Sequence, residues 1–202
     1  MNVERIKQGL APANSIWLWG EGTKPGIPDF YKTYGHRGAV ISAVDLVKGI
    51  GLAAGLASID VEGAAGTVDT NYQGKLEAAL QVLLQDQQDF VYIHCEGPDE
   101  CGHHGDIPGK QLSIERIDAL IVGPLMEALH KAGEEFSLLI LPDHPTPVSI
   151  KTHSSDPVPF LLYRSNAPLT DGPSSYNERT AKETGCLIEK GHTLLSLLFN
   201  QS

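Results

Sequence analysis

The sequence predicts an α/β domain of three layers, in which a mostly parallel sheet is covered by helices on both faces. The first observation is a set of short apolar runs, which lie at residues 15–20, 39–43, 90–95, 137–141 and 158–163. Runs that are apolar on both faces are typical of strands buried between two layers of helices. The second observation is that segments with helical periodicity lie between some of these runs.

The helical segments are recognised by the spacing of their leucines and isoleucines. Residues 72–85 place Leu76, Leu80 and then Leu83 or Leu84 on one face, and residues 114–131 carry a similar apolar stripe. A third helix is expected at residues 191–200, where it closes the chain. Strands that alternate with helices of this length indicate a mostly parallel sheet. In such sheets, functional residues lie on the loops beyond the carboxyl ends of the strands.

Length and composition indicate one domain that spans residues 1–202. The chain has 202 residues, of which 41% are hydrophobic, so it can bury a sizeable core. Its 25 acidic and 15 basic side chains give a net charge of −10, which argues against binding to nucleic acid or to an anionic membrane. The apolar runs are far shorter than the roughly 18 residues of a membrane-spanning helix. No secretory signal is recognisable, and the cytoplasm is the expected location.

The three cysteines, Cys95, Cys101 and Cys186, show no CxxC spacing. A disulfide framework or a four-cysteine zinc site is therefore not expected. Cys95 is expected to end a buried strand. An alternative is that Cys95 and Cys101, which flank an acidic segment, bind a soft metal as thiolates.

Ionisable side chains crowd together at residues 96–106, directly after the predicted strand at 90–95. Within this segment, which reads as a loop, Asp99 and His103 combine a carboxylate with an imidazole, a favourable pair for Zn²⁺ or Mn²⁺. By itself the Asp-x-x-x-His pattern is weak, because a polar loop with a hydrogen-bonded histidine has the same residues.

Two further loops offer ligands of the same kind. Asp143 and His144 follow the predicted strand at 137–141, and the prolines after them stop any helix. His153 lies in the next polar loop, before the strand at 158–163. Three successive strand-end loops with carboxylates and imidazoles favour a metal-binding crevice over a coincidence of solvated loops.

The other histidines are less informative. His94 lies within a predicted strand, and His130 and His192 lie near helix ends, so these three are interpreted as structural or exposed. His104 neighbours His103 but would point elsewhere, so it either contacts a ligand or faces water.

The three ligand-bearing segments resemble the metal-binding loops of cofactor-independent phosphoglycerate mutases, specifically the archaeal-type branch within the alkaline phosphatase superfamily. These segments read PDECGHHGD, LPDHPTP and KTHSSDPVPF. The resemblance extends along nearly the whole chain through NSIWLWGEG, YGHRGAVISAVDLVKGIGLAAG and TNYQGKLEAAL. It implies an alkaline-phosphatase-like fold and an isomerase activity, the interconversion of 3- and 2-phosphoglycerate in glycolysis.

The resemblance also implies two divalent metal ions, Mn, Zn or Mg. One ion would be held by residues similar to Asp99, His103 and His153. The second would be held by Asp143 and His144, together with an Asp and a nucleophilic Ser or Thr from an early part of the family sequence. The ions would lower the pKa of the nucleophile and offset charge on the phosphoryl oxygens.

Lys75 resembles a family lysine that approaches the substrate phosphate; the alternative is a solvated helix lysine. The family's early strand, its metal-binding Asp and its nucleophilic Ser have no counterpart here, so no catalytic nucleophile is identified. Ser42 with Asp45 is the one early Ser/Asp pair worth considering, but its segment reads as a strand that passes into a framework helix. The chain thus resembles the carboxyl-terminal portion of a mutase.

Because those early family residues have no counterpart here, the resemblance predicts one complete metal site, one half-built site and no turnover of phosphoglycerate by the chain alone. A missing strand would leave a sheet edge uncovered, so self-association or a separate amino-terminal half is expected. Two alternatives stay open. One is a phosphatase, phosphonate hydrolase or sulfatase relative of the same superfamily, and the other is a noncatalytic metal-binding module.

Overall fold

A computed structural model describes residues 1–16, 18, 22–169 and 172–199 of the chain. Of the strand expected at residues 15–20, half lies outside the described residues, and the described ones, Ser15, Ile16 and Leu18, have no regular secondary structure. The end of the last predicted helix, Asn200, also lies outside them. No helix of the described part of the chain is long and apolar enough to cross a membrane.

The main sheet has three parallel strands, β1 (Gly38–Ile41), β2 (Ala57–Ile59) and β3 (Phe90–Ile93), in the order β2-β1-β3. The middle strand β1 is buried along its whole length, as its continuous apolar sequence predicts. β2 was not predicted from the sequence, because three residues with a central serine are too short to show a strand pattern.

A second sheet pairs β4 (Ser137–Ile140) with β5 (Leu161–Arg164) in antiparallel orientation, with Ser137 opposite Arg164. Three of the predicted strands thus match β1, β3 and β4, whereas β5 begins three residues after the predicted start. The α/β class and the parallel sheet are confirmed. The antiparallel pair is an addition that no local pattern indicated.

The helices are, in chain order, α1 (Asn2–Lys7), α2 (Phe30–Tyr34), α3 (Asp45–Ala53), α4 (Tyr72–Leu80), α5 (Gly97–His104), α6 (Ile107–Ile117), α7 (Gly123–Ala132), α8 (Glu178–Glu183) and α9 (Leu194–Phe199). A π-helical turn at Gln81–Gln85 extends α4, which confirms the predicted helix at 72–85. A second π-helical turn at Asp118–Val122 joins α6 to α7, so the helix predicted at 114–131 begins earlier, at Ile107. The last predicted helix is a short 3₁₀ turn, Gly191–Thr193, followed by α9.

Helices cover both faces of the main sheet, as successive residues of β1 show. A Cβ atom at Gly51 of α3 would lie 2.6 Å from Val40, so α3 packs closely on the face to which Val40 points. The next residue, Ile41, belongs to a core cluster with Leu76 and Ala79 of α4. Because neighbouring strand residues point to opposite faces, α3 and α4 lie on opposite sides of the sheet.

Candidate metal centre

Asp99 and His103 lie on helix α5, not on a loop as the sequence analysis predicted. Pro98 at the start of this helix, acidic residues in its first turn and histidines in its last turn are all favourable for a helix. Gly105 ends it in the left-handed conformation, with φ of 72°. Since Asp99 and His103 are four residues apart, the helix places them on one face.

The Asp99 carboxylate and the imidazoles of His103 and His153 meet in one cluster. His103 Nε2 lies 3.4 Å from Asp99 Oδ2 and 3.0 Å from His153 Nε2, and His153 Nε2 lies 3.5 Å from Asp99 Oδ1. Two ligand atoms that each lie about 2.1 Å from the same ion are separated by roughly 3.0–3.4 Å at usual coordination angles. The three side chains therefore fit a divalent cation in both donor type and spacing.

The other ring nitrogen of His103, Nδ1, has a hydrogen-bond partner that leaves Nε2 available to bind a metal ion. His103 Nδ1 lies 3.1 Å from the main-chain oxygen of Lys151, which can only accept a hydrogen bond. The proton is thereby assigned to Nδ1, and the lone pair of Nε2 faces His153 and Asp99. Lys151 has a φ of 56°, an uncommon value for a residue other than glycine, in the turn that carries this carbonyl.

His144 joins the same cluster. Its ring lies against that of His153, with centroids 3.6 Å apart, and its Nδ1 is 3.9 Å from Asp99 Oδ1. Ligand atoms of Asp99, His144 and His153 all lie within 4.8 Å of one another. Asp143 sits at the margin, where its Oδ2 lies 3.2 Å from His144 Nε2. The structure thus brings the five predicted ligands together. His144 lies between Asp99, a ligand expected for the first ion, and Asp143, the other ligand expected for the second.

Thr146 is a residue of this centre that the sequence analysis did not identify as functional. It is buried, and its hydroxyl donates a hydrogen bond to Asp99 Oδ1. The same Oγ1 lies 3.3 Å from His144 Nδ1. Its position two residues after His144, between two prolines, is the one sequence feature that could have drawn attention to it.

Lys75 is only 1% exposed, so the alternative of a solvated helix lysine is wrong. Its Nζ donates a 2.7 Å hydrogen bond to the main-chain oxygen of His94, just beyond the end of β3. Burial lowers the pKa of the Lys75 ammonium, although Cys95 and Glu96 oppose this shift. A contact between Lys75 and a substrate phosphate stays a prediction.

His94 and Ser42 form a hydrogen-bonded pair next to Lys75. Ser42 Oγ lies 3.1 Å from His94 Nδ1 and accepts a 3.0 Å hydrogen bond from the amide of Val44. Burial, and secondarily the Lys75 charge, lowers the pKa of His94. Ser42 is 2% exposed, which supports its interpretation as part of the framework and not as a nucleophile.

Cys95 and Cys101 are poorly suited to bind a metal as thiolates. All three cysteines are free, and burial raises the pKa of the Cys95 and Cys101 thiols, which favours their protonated form. Cys95 lies two residues beyond the end of β3 and is half-buried, so the expectation that it ends the strand is wrong by those two residues. His104 Nδ1 contacts the main-chain oxygen of Glu100, 2.8 Å away, and its side chain is mostly exposed.

The chain is similar in sequence to known proteins along most of its length. The metalloenzyme superfamily model matches residues 4–199. The 2,3-bisphosphoglycerate-independent phosphoglycerate mutases of Methanosarcina mazei and Methanothrix thermoacetophila are 47% and 49% identical to this chain over 198 residues. These matches cover 98% of this chain but 49% and 50% of those proteins, so the chain spans about half the length of the curated relatives it matches.

Two solved structures are similar in fold. The PH0037 protein from Pyrococcus horikoshii has a TM-score of 0.76 and 32% identity, with 90% of this chain and 46% of that chain covered. A cofactor-independent phosphoglycerate mutase from Thermoplasma acidophilum has a TM-score of 0.61 and 25% identity, with 98% and 45% covered. The resemblance drawn from the metal-binding loops is confirmed.

Proposed function

Because this chain belongs to the metalloenzyme superfamily, we propose that it is the metal-binding part of a cofactor-independent phosphoglycerate mutase, an isomerase that interconverts 3- and 2-phosphoglycerate. The observation that carries this proposal is the spacing of Asp99, His103 and His153, which suits a single divalent ion. The curated relatives of the same family carry the mutase name.

In this proposal Asp99, His103 and His153 hold the first ion, which is Mn²⁺, Zn²⁺ or Mg²⁺. Asp143 and His144 offer two donors to a second ion, fewer than the three or four protein ligands that a tight site usually has. Bound ions would lower the pKa of an attacking hydroxyl and offset charge on the phosphoryl group. The second site is therefore expected to be weak without a further ligand.

Lys75 would bind the phosphate of the substrate. Its Nζ donates one hydrogen bond to His94 within the protein, and an ammonium has three donors. Because the side chain is buried, its charge is poorly screened by water and attracts an anion strongly.

The hydroxyl groups of Thr146, which contacts the cluster, and of Ser42, which contacts His94, are both buried and therefore poorly placed to attack a phosphate. The chain also spans about half the length of its curated relatives. We therefore propose that these 202 residues do not turn over phosphoglycerate alone and that a further polypeptide segment supplies the nucleophile and the missing ligand. A single domain over residues 1–202 and a cytoplasmic location belong to the same proposal.

Metal content tests the site directly. After loading with Mn²⁺ or Zn²⁺ and gel filtration, we expect about one tightly held ion per chain, the number that three protein ligands support. Asp99→Ala, His103→Ala and His153→Ala should each lower the retained metal, because each removes one of those ligands.

His104→Ala is the matched control, since His104 is adjacent to His103 but exposed and turned to Glu100. Cys101→Ala should also retain the metal of the parent chain. Unchanged retention in all three ligand variants would refute the assignment, and a large loss in Cys101→Ala would favour a thiolate site.

The activity is tested by adding the half of a curated relative that this chain does not match. Mutase activity with 3-phosphoglycerate is expected only when both halves are present. Release of inorganic phosphate without 2-phosphoglycerate would indicate a phosphatase instead. No reaction by the mixture, with metal still bound, would favour a noncatalytic metal-binding module.

A further inference from the structure

The hydroxyl of Thr146 lies between the two sets of ligands. It donates to Asp99 Oδ1 and lies 3.3 Å from His144 Nδ1, whereas Asp99 Oδ1 and His144 Nδ1 are 3.9 Å apart and too distant for a direct hydrogen bond. Thr146 is 4% exposed, so water does not compete readily for these contacts. The threonine is thus the link between a ligand of the first ion and a ligand of the second.

The chemistry of the three groups determines the direction of this link. A threonine hydroxyl has one proton, and an ionised carboxylate can only accept a hydrogen bond, so that proton points to Asp99. Towards His144 the hydroxyl oxygen can then only accept a hydrogen bond, so the contact with Asp99 is the one in which Thr146 is the donor.

The main chain of Thr146 is held in place by two helices. Lys110 of α6 donates a 2.9 Å hydrogen bond from its Nζ to the Thr146 carbonyl oxygen. Gly102 of α5 lies so close that a Cβ atom there would be 2.5 Å from this oxygen and 2.8 Å from the Thr146 Cγ2 methyl group. The hydroxyl therefore has a defined position relative to Asp99, which lies on the same helix as Gly102.

We propose that Thr146 is a positioning residue whose hydroxyl orients the Asp99 carboxylate for the first ion, at a point where it also lies against His144 of the second ligand set. This inference rests on the proposed function, in which Asp99 and His144 bind metal. Partners of this kind commonly change metal affinity by about 10–100-fold when they are removed.

The test compares Thr146→Val, which keeps the shape of the side chain without the hydroxyl, with Thr146→Ser, which keeps the hydroxyl. The first measurement is Mn²⁺ affinity by titration of the whole chain. The valine variant should bind about 10–100-fold more weakly than the parent chain, and the serine variant should stay close to the parent. Thr146→Ala is a second hydroxyl-free variant, used if the valine protein does not fold.

The second measurement is denaturant unfolding of the metal-free variants, which shows whether the valine protein is folded before its affinity is compared. Rescue of Mn²⁺ affinity by the serine variant separates the role of the hydroxyl from a general loss of packing. A parent chain that binds no Mn²⁺ would refute the proposed function. A parent chain that binds Mn²⁺, with equal affinities of the folded valine and serine variants, would overturn the positioning role of Thr146.

Discussion

At the scale of single residues, the most unusual feature is the buried ammonium of Lys75. Burial lowers its pKa below the ordinary value of 10.5, so the charged form is less favourable in the folded than in the unfolded chain. The protonated group therefore destabilises the fold at neutral pH. This cost disappears as the pH rises from the lowered folded pKa towards 10.5.

The Lys75→Met variant tests this reasoning. The free energy of unfolding of the parent chain, minus that of the variant, should rise with pH on the alkaline side, because only the parent chain loses the cost of the buried charge. Denaturant unfolding at a series of pH values measures this difference and cancels the titration of tyrosines and cysteines that both proteins share.

Lys48→Met is the control for this experiment. Lys48 donates to Asp60 at 2.7 Å, and this hydrogen bond raises its pKa, so its stabilising effect is fully present below 10.5. The parent-minus-variant difference should show no rise with pH for Lys48. A flat profile for Lys75→Met as well would contradict a lowered pKa at that residue.

At the scale of elements, helix α5 connects the main sheet to the metal centre. It follows β3, carries Asp99 and His103 and packs against Thr146 through Gly102. The helix was predicted as a loop because its residues are polar and its apolar stripe is short. Pro98 in its first turn and Gly105 at its C-cap were the better indicators of a helix.

Gly102→Ala should destabilise the protein, although alanine is the better helix former. The added Cβ would lie 2.5 Å from a main-chain oxygen, which cannot move aside as a flexible side chain would. We expect a loss of about 1–3 kcal/mol in the free energy of unfolding, typical of overpacking. A weakened metal site should accompany this loss, since Thr146 is displaced.

Gly49→Ala is the matched control, because Gly49 lies inside α3 with nothing within 4 Å of the added methyl group. This variant should gain up to about 1 kcal/mol from helix propensity alone. Thermal or denaturant unfolding measures both effects. If Gly102→Ala were stabilised as much as the control, the close packing of α5 on Thr146 would be refuted.

At the scale of the whole molecule, the described residues form two separate sheets, and each has unpaired edges. β3 is an edge of the parallel sheet, and β4 pairs only with β5 among the described strands. The residues that follow β3 and β4 nevertheless meet in one cluster, where Asp99 and His144 are neighbours. Unpaired strand edges favour pairing with another chain.

We therefore expect self-association at high protein concentration, or stable binding to the unmatched half of a relative. Size-exclusion chromatography with light scattering measures both. Tyr92→Lys places a charge on a half-exposed position of the edge strand β3 and should reduce association. Elution as a monomer at high concentration, together with no binding to the added half, would contradict this expectation.

Local sequence patterns were sufficient for much of the fold and for the ligand types. Apolar runs predicted β1, β3 and β4, and leucine spacing predicted the helix that begins at Tyr72. Such patterns work because strand and helix periodicity depend on residues close together in the chain. The carboxylates and imidazoles after successive apolar runs likewise predicted a metal crevice from their ligand types. In the structure β4 belongs to a separate antiparallel pair, so these ligands do not all follow strands of one parallel sheet.

What the tertiary structure alone decided involves residues far apart in the chain. The burial of Lys75, the contact of His103 with His153 and the bond from Thr146 to Asp99 each depend on how distant segments pack. The antiparallel pairing of β4 with β5 is of the same kind. Local sequence was enough to identify which chemical groups are available, but not that Asp99 and His103 lie on a helix. Only the packing of the helices and strands decided which groups touch, because a contact across some fifty residues leaves no local pattern.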